Sequence, residues 1–167
     1  MLKKSLAALL CAVLLLTCAL AETALPMTEA RLDESLETVC TQLLKEERTA
    51  VLGDIALVCQ SDADGALLSV SAEIAVDPAD TDAASAQLQR FGLVTGAVVY
   101  ACELIRLDDD LTALAEQATS LSEALERIGD VTEAAPAEIA VAGGVLRLSV
   151  QTAEDGVMTW TMRFTAE

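Results

Sequence analysis

Two short acidic clusters are the first places in this sequence to look for chemistry. Asp62 and Asp64 stand before Gly65, an order found in the inner part of an EF-hand calcium loop. Such a loop also needs carboxylates at its first and twelfth positions, which here would be Gln60 and Ser71. Asp62 and Asp64 are therefore weak metal candidates, and an acidic hairpin turn is the better interpretation.

Three consecutive aspartates, Asp108 to Asp110, form the second cluster. Consecutive side chains at the start of a helix point in different directions, so three carboxylates converge poorly on one ion. Acidic residues are favoured as N-caps and at the positive end of the helix dipole. We therefore interpret this cluster as the beginning of a helix.

Histidine does not occur in the sequence, which removes the commonest general base near neutral pH. The absence of histidine also excludes catalytic groups of the Ser-His-Asp and Cys-His types and zinc sites that contain histidine. The sequence also contains no Gly-x-Gly-x-x-Gly, no Gly-x-x-x-x-Gly-Lys phosphate loop and no Cys-x-x-Cys pair. We predict no cofactor.

A pair of carboxylates, as in glycoside hydrolases, is the remaining catalytic possibility. The acid of such a pair sits on a buried apolar face, and Glu73 and Glu103 come nearest to that position. We favour solvent exposure for both. Lys45, which would need burial to act as a Schiff-base amine, falls on the polar side of its predicted helix. We predict that the protein is not an enzyme, with a carboxylate-only hydrolase as the alternative.

Residues 1–21 have the parts of a secretory signal. Two lysines precede a long apolar run, and Ala19-Leu20-Ala21 places small residues where a signal peptidase reads them. We predict cleavage after Ala21 and a secreted or extracytoplasmic protein. Lipidation of Cys18 is a minority alternative, because Thr17 departs from the lipobox pattern. A retained membrane anchor is a second minority alternative. It is disfavoured because the apolar run is shorter than the ~20 residues that a bilayer span needs.

The net charge of the chain limits the classes of partner that it can bind. Two of the ten Lys and Arg residues lie in the leader, so residues 22–167 carry eight basic against 27 acidic side chains, a net charge of −19. Such a surface repels nucleic acid phosphates and anionic lipids, and neither is a predicted partner. We predict an unidentified protein or small ligand instead. The alternative is an acidic envelope-structural or weakly cation-binding protein.

The elements that must position these residues are organised around Phe91–Ile105. Its first twelve residues carry no charge, which in water requires a place in the middle of a core. The apolar spacing predicts a helix that begins near Asp80 or Thr81, with a buried pair of strands as the competing interpretation. Gly92 and Gly96 would form a groove for close packing, and the uncharged run is too short to span a membrane.

The remaining elements follow from periodicity and turn residues. A helix capped by Thr28 is predicted to end near Arg48, and strand-like alternation follows within Thr49–Gln60. The other predicted elements are a strand with Leu68, Val70, Ala72, Ile74 and Val76 inward, a helix from Leu111 that stops at Gly129, and strands within 138–142, 145–152 and 157–165.

Cys40, Cys59 and Cys102 all fall on the apolar faces of these elements. Small buried thiols are the favoured interpretation, and one disulfide with a free thiol is the alternative. The two hairpins share similar turn sequences, which leaves an internal duplication open.

The predicted order is α-ββ-α-α-βββ, a two-layer α+β fold with an antiparallel sheet of about five strands and three helices on one face. Residues 22–167 are predicted to form a single domain. We predict an exported, non-catalytic domain that binds a protein or a small ligand through its open sheet face or a helix edge.

Overall fold

The structure, a computed structural model, describes residue 25 and residues 27–126 and 130–166. The predicted secretory signal, its cleavage site, Cys18 and the predicted helix stop at Gly129 lie outside the described residues.

Four α-helices, one π-helical segment and five strands make up the described part of the chain. In chain order they are α1 Glu29–Thr38, the π-helical segment Val39–Leu44, α2 Arg48–Leu52, β1 Leu57–Ser61, β2 Leu67–Val76, α3 Thr81–Arg106, α4 Leu111–Glu126, β3 Ala137–Val141, β4 Gly144–Thr152 and β5 Met158–Ala166.

The five strands form one sheet in the order β1-β2-β5-β4-β3, and every neighbouring pair is antiparallel. The predicted hairpin β1-β2 and the predicted meander β3-β4-β5 are both present. They join through β2 and β5, which pair from Ser69 opposite Thr165 to Val76 opposite Met158. The predicted α+β class and antiparallel sheet are confirmed, and the helices outnumber the prediction by one.

The extra helix lies where a strand was expected. Thr28 caps α1 as predicted, because its hydroxyl accepts a hydrogen bond of 3.3 Å from the backbone N–H of Arg31. The π-helical segment ends at Leu44 and is capped by Lys45, which has a positive φ of 61°. Arg48–Leu52 then forms α2, so the predicted strand-like stretch from Thr49 was too long. Only Leu57–Ser61 pairs as a strand.

Strand β2 follows the predicted alternation with one irregularity. Val70, Ala72 and Val76 are buried in the core as expected. The register with β1 shifts between Gln60 and Ser61, and Leu67 rather than Leu68 becomes fully buried. Ser69, which the alternation predicts to point outward to solvent, is also buried. Its hydroxyl donates a hydrogen bond of 3.0 Å to the Gln60 side chain.

The central segment is one long helix, so the competing interpretation of two strands is wrong. Asp80 caps α3 by accepting a hydrogen bond of 3.0 Å from the N–H of Ala83. The helix is long and apolar enough to cross a membrane, but 61% of its most apolar window is buried inside the fold. Length and composition are therefore weak grounds for a span. The predicted groove fails at Gly92, where an added methyl group would meet no atom within 4 Å.

One continuous cluster of buried side chains fills the space between the helices and the sheet. The C-terminal half of α3 lies at its centre, with Val94, Val98 and Leu104 fully buried. On the other face of the sheet, alternate residues such as Glu73, Arg147 and Arg163 are exposed. This is the one-sided burial expected of a two-layer fold.

Candidate functional site

The N-terminal half of α3, residues 81–91, stands between two recesses. The two recesses lie on opposite flanks of this helix. Residues 94–104 of the same helix are almost wholly enclosed. Helix α3 and the end of the sheet therefore form the walls of both candidate sites.

The first recess, which we call the Trp160 recess, has a volume of about 690 Å³. Its walls come from α3, from the turn before α3, from Val131 and from Trp160 on β5. None of the described residues that line it is charged: they are Pro78, Thr81, Ala84, Ser85, Leu88, Gln89, Phe91, Val131 and Trp160. Because 22% of the residues in the chain are charged, a lining without charge stands apart from the rest of the molecule, and it favours an uncharged ligand.

Two aromatic rings meet at the Trp160 recess. Phe91 is buried, and its ring meets Trp160 edge to face, with centroids 6.5 Å apart and planes at 60°. The indole Nε1 of Trp160 is buried and has no hydrogen-bond partner among the described residues. An unsatisfied buried donor of this kind costs about 1–3 kcal/mol.

The second recess, which we call the β2 notch, has a volume of about 490 Å³. Strand β2 continues for four residues, Glu73 to Val76, beyond the point where Leu57 of β1 pairs with Ala72. On the other side these four residues pair with β5. A smaller recess of about 390 Å³ continues the notch past Ala56 and Val58.

The notch exists because the chain before β1 is drawn away from β2. Ile55 is buried, and its N–H donates a hydrogen bond of 3.0 Å to the carbonyl of Leu52. Gly53 takes a positive φ of 56°, and the Arg90 guanidinium occupies the space where a side chain on Gly53 would lie. Any residue with a side chain at position 53 would therefore displace Arg90 as well as strain the turn.

The weak metal candidates serve as a turn. Oδ1 of Asp62 accepts hydrogen bonds from the N–H groups of Asp64 and Ala66, at 2.9 and 2.8 Å, and Gly65 has a φ of +84°. Within the described residues, no group of three or more Cys, Asp or Glu side chains is arranged to hold a metal ion.

The aspartate cluster caps a helix as predicted. Oδ1 of Asp110 accepts hydrogen bonds from the N–H groups of Thr112 and Ala113, at 2.9 and 3.1 Å. Asp109 instead forms an ion pair with Arg31 and so connects the turn after α3 to α1.

Glu103 was expected to be exposed, and this expectation was wrong. It is buried, and its Oε2 accepts a hydrogen bond of 2.9 Å from Nε of Arg106 one helical turn later, while Oε1 contacts Nη2. This bond raises the pKa of Arg106. The other candidate, Glu73, is exposed as expected. Glu103 does not line either recess.

The three cysteines of the described chain are free thiols, so the disulfide alternative is wrong. Cys40 and Cys102 are buried and Cys59 is partly buried, in agreement with the favoured interpretation. Burial raises the pKa of all three thiols, and that of Cys102 to about 12. A thiol that stays protonated is a poor nucleophile, and none of the three lines a recess described above.

The open sheet face, the first surface that the sequence suggested for binding, carries polar side chains in register. Arg147 and Arg163 are direct neighbours on β4 and β5, and Nε of Arg147 donates a hydrogen bond of 2.7 Å to Glu138 on β3. The predicted alternative, a helix edge, describes the two recesses better. Sequence reasoning missed the Trp160 recess, although Leu88 and Phe91 marked the face of α3 that forms it.

No family model matches this sequence, and neither the curated proteins nor the solved structures contain a significant match.

Proposed function

We propose that the protein is an exported, non-catalytic binding domain that takes an uncharged, largely apolar ligand in the Trp160 recess. The observation that carries this proposal is the recess itself: it has a volume of about 690 Å³ and no charged residue in its described lining, in a chain of formal net charge −17. Export is part of the proposal and rests on the secretory pattern of residues 1–21.

The size and lining of the recess suit a small molecule. Ligand pockets typically measure about 300–1,000 Å³ and combine apolar walls with a few polar groups that orient the ligand. Here Leu88, Phe91 and Trp160 supply apolar wall. The hydroxyl groups of Thr81 and Ser85 lie on exposed turns of α3 and supply polar contacts. A ligand with an apolar body and a single hydroxyl, carbonyl or ether oxygen fits this distribution.

The proposal is non-catalytic because the described lining of the Trp160 recess contains no carboxylate, amine or thiol. Asp54 and Glu73 both line the β2 notch, so a carboxylate-only hydrolase at that second recess is the alternative. The chain has no histidine, and the raised pKa of each described thiol keeps it protonated near neutral pH. The buried carboxylate Glu103 is paired with Arg106 away from both recesses. The cation-binding alternative lacks comparable support, since Oδ1 of Asp62 already accepts two backbone hydrogen bonds.

A titration with the neutral fluorophore N-phenyl-1-naphthylamine tests the proposal. Trp160 is the only tryptophan, so energy transfer from its indole to the probe reports binding, and the variants below locate the site. We expect saturable transfer that is competed by uncharged long-chain alcohols and less well by the corresponding fatty acids, because burying a carboxylate among uncharged walls is costly.

Two matched variants locate the probe. Ser85→Arg introduces a charge on the rim of the recess, and we expect it to weaken probe binding by about tenfold or more. Ala115→Arg places the same side chain on an exposed position of α4 and should leave binding unchanged. Equal affinity of both variants, or transfer that does not saturate, would contradict the proposed site.

A further inference from the structure

We propose that the β2 notch is a second, separate site, which accepts an extended segment of a partner protein as an added β-strand. The segment would pair with residues Glu73 to Val76, place small apolar side chains against α3 and place a lysine or arginine opposite Glu73.

The free strand edge supplies the backbone part of this recognition. In an antiparallel sheet each residue directs its N–H and C=O to one side, and neighbouring residues alternate. Residues 73–76 pair with β5 on one side, and no described strand pairs with them on the other. Alternate residues of this stretch therefore present unpaired donors and acceptors, which is the template used when a peptide extends a sheet.

The groove beside this edge supplies the side-chain part. Its inner wall is the N-terminal half of α3, where Ala83 and Ala86 leave room between helix and strand, and Ile55 and Ile74 form its apolar base. Successive side chains of an added strand would alternate between this groove and the outer face of the sheet. An alternating segment with apolar residues of about the size of valine on one side matches that geometry.

Charge selects a basic segment over a second copy of this chain. Glu73 faces Thr161 on β5, and neither Glu73 nor Asp54, which also lines the notch, forms an ion pair with a described residue. Among the described residues that line the notch, Arg90 alone is cationic, and it lies on the helix wall against Gly53. Two copies of a chain with a net charge of −17 repel each other, whereas a lysine or arginine opposite Glu73 forms a favourable cross-strand pair.

The site is preformed, which distinguishes it from a frayed edge. Burial of Ile55 and its bond to Leu52 hold the chain before β1 away from β2, so the notch does not close by extending β1. A segment of about four residues, some 14 Å in length, would complete the sheet without any movement of the core.

Fluorescence anisotropy with a labelled Val-Lys-Val-Lys-Val peptide tests the proposal on the purified protein. The control peptide has the same sequence in alternating L- and D-residues, so it keeps the charge but cannot place its valine and lysine side chains on opposite faces of an added strand. We expect the all-L peptide to bind at least about tenfold more tightly. Equal binding of the two peptides would indicate a purely ionic contact and overturn the proposal, as would the absence of binding.

Variants and amide exchange locate the peptide. Ala86→Trp fills the groove from an exposed helix position and should weaken binding at least about tenfold, while Ala115→Trp should not change it. Glu73→Gln should weaken it by about threefold. Alternate amides within residues 73–76 should exchange more slowly when the peptide is bound. Unaltered binding by Ala86→Trp, or protection that rises with protein concentration alone, would overturn the proposal, the latter in favour of pairing between copies.

Discussion

The two halves of helix α3 have the same backbone conformation and opposite roles. Residues 94–104 are enclosed by α1, α4 and the sheet, and ten of these eleven residues are buried. Residues 81–91, which we call the overhanging half, are largely exposed: two of these eleven, Ala84 and Phe91, are buried. The enclosed half stabilises the fold, and the overhanging half leaves a recess on each flank. A single helix can therefore serve as core and as binding wall when its neighbours are shorter than it is.

The largest expected contrast between the halves comes from a buried charge. Val98→Asp places a carboxylate at a fully buried position without a partner, and we expect a loss of at least about 4 kcal/mol in the free energy of unfolding. The matched change Ser85→Asp lies on the exposed half and should alter stability by no more than about 0.5 kcal/mol. Urea denaturation followed by Trp160 fluorescence measures both. Comparable losses would show that the two halves are equally enclosed.

A second contrast concerns thiol protonation. The pKa of Cys102 is raised from an ordinary value of 9.0 to about 12 by burial, with smaller contributions from Cys59 and Glu103. The folded state therefore keeps its proton at a pH where the unfolded state has lost it. The contribution of the protonated Cys102 thiol to the stability of the folded state is complete below pH 9.0, and it is lost as the pH rises from there towards 12.

Two measurements check this contrast. The fall in stability above pH 9.0 should be shallower in Cys102→Ala, which lacks the titrating thiol. Iodoacetamide should leave Cys102 unmodified until the protein unfolds, while a cysteine introduced by Ser85→Cys on the exposed half should react at once. Rapid alkylation of Cys102 in the folded protein would show that the enclosed half is open to solvent.

The smallest contrast uses two threonines. Thr95 is fully buried and its hydroxyl has no hydrogen-bond partner among the described residues, so Thr95→Val should stabilise the protein by about 1 kcal/mol. Thr81→Val changes an exposed residue of the overhanging half and should have almost no effect on stability. Both changes replace one β-branched residue with another, so the effect of helix propensity on stability is small and nearly the same in the two variants. Thermal unfolding distinguishes them, and a destabilised Thr95→Val would show that the hydroxyl has a partner.

Most elements of this fold could be predicted because their signals are local. Thr28 caps the helix that the sequence assigned to it. Asp80 is the cap from the predicted pair Asp80 and Thr81, and Asp110 is the cap from the predicted cluster Asp108 to Asp110. The β3-β4-β5 meander agrees with the predicted strands to within a residue or two, because apolar alternation and Gly-containing turns mark it. The failure at Arg48–Leu52 is also local in origin, since five residues are too few for a helical period to be distinguished from the alternation that follows.

The candidate sites were harder to predict because each depends on residues far apart in the chain. Leu88, Phe91 and Trp160 meet only when β5 pairs with β2 beneath α3. Glu103 looked exposed because the sequence shows its apolar neighbours but not the packing that encloses them.

By itself the sequence determined the α+β class, the antiparallel hairpins and the central place of the uncharged segment. It also determined the exclusion of histidine chemistry. Only the tertiary structure decided that β2 joins β5, that one half of α3 is enclosed while the other is exposed, and that β2 continues beyond the end of β1. The reason is physical: periodicity and caps act over a few residues, whereas recesses form where the ends of packed elements fail to coincide.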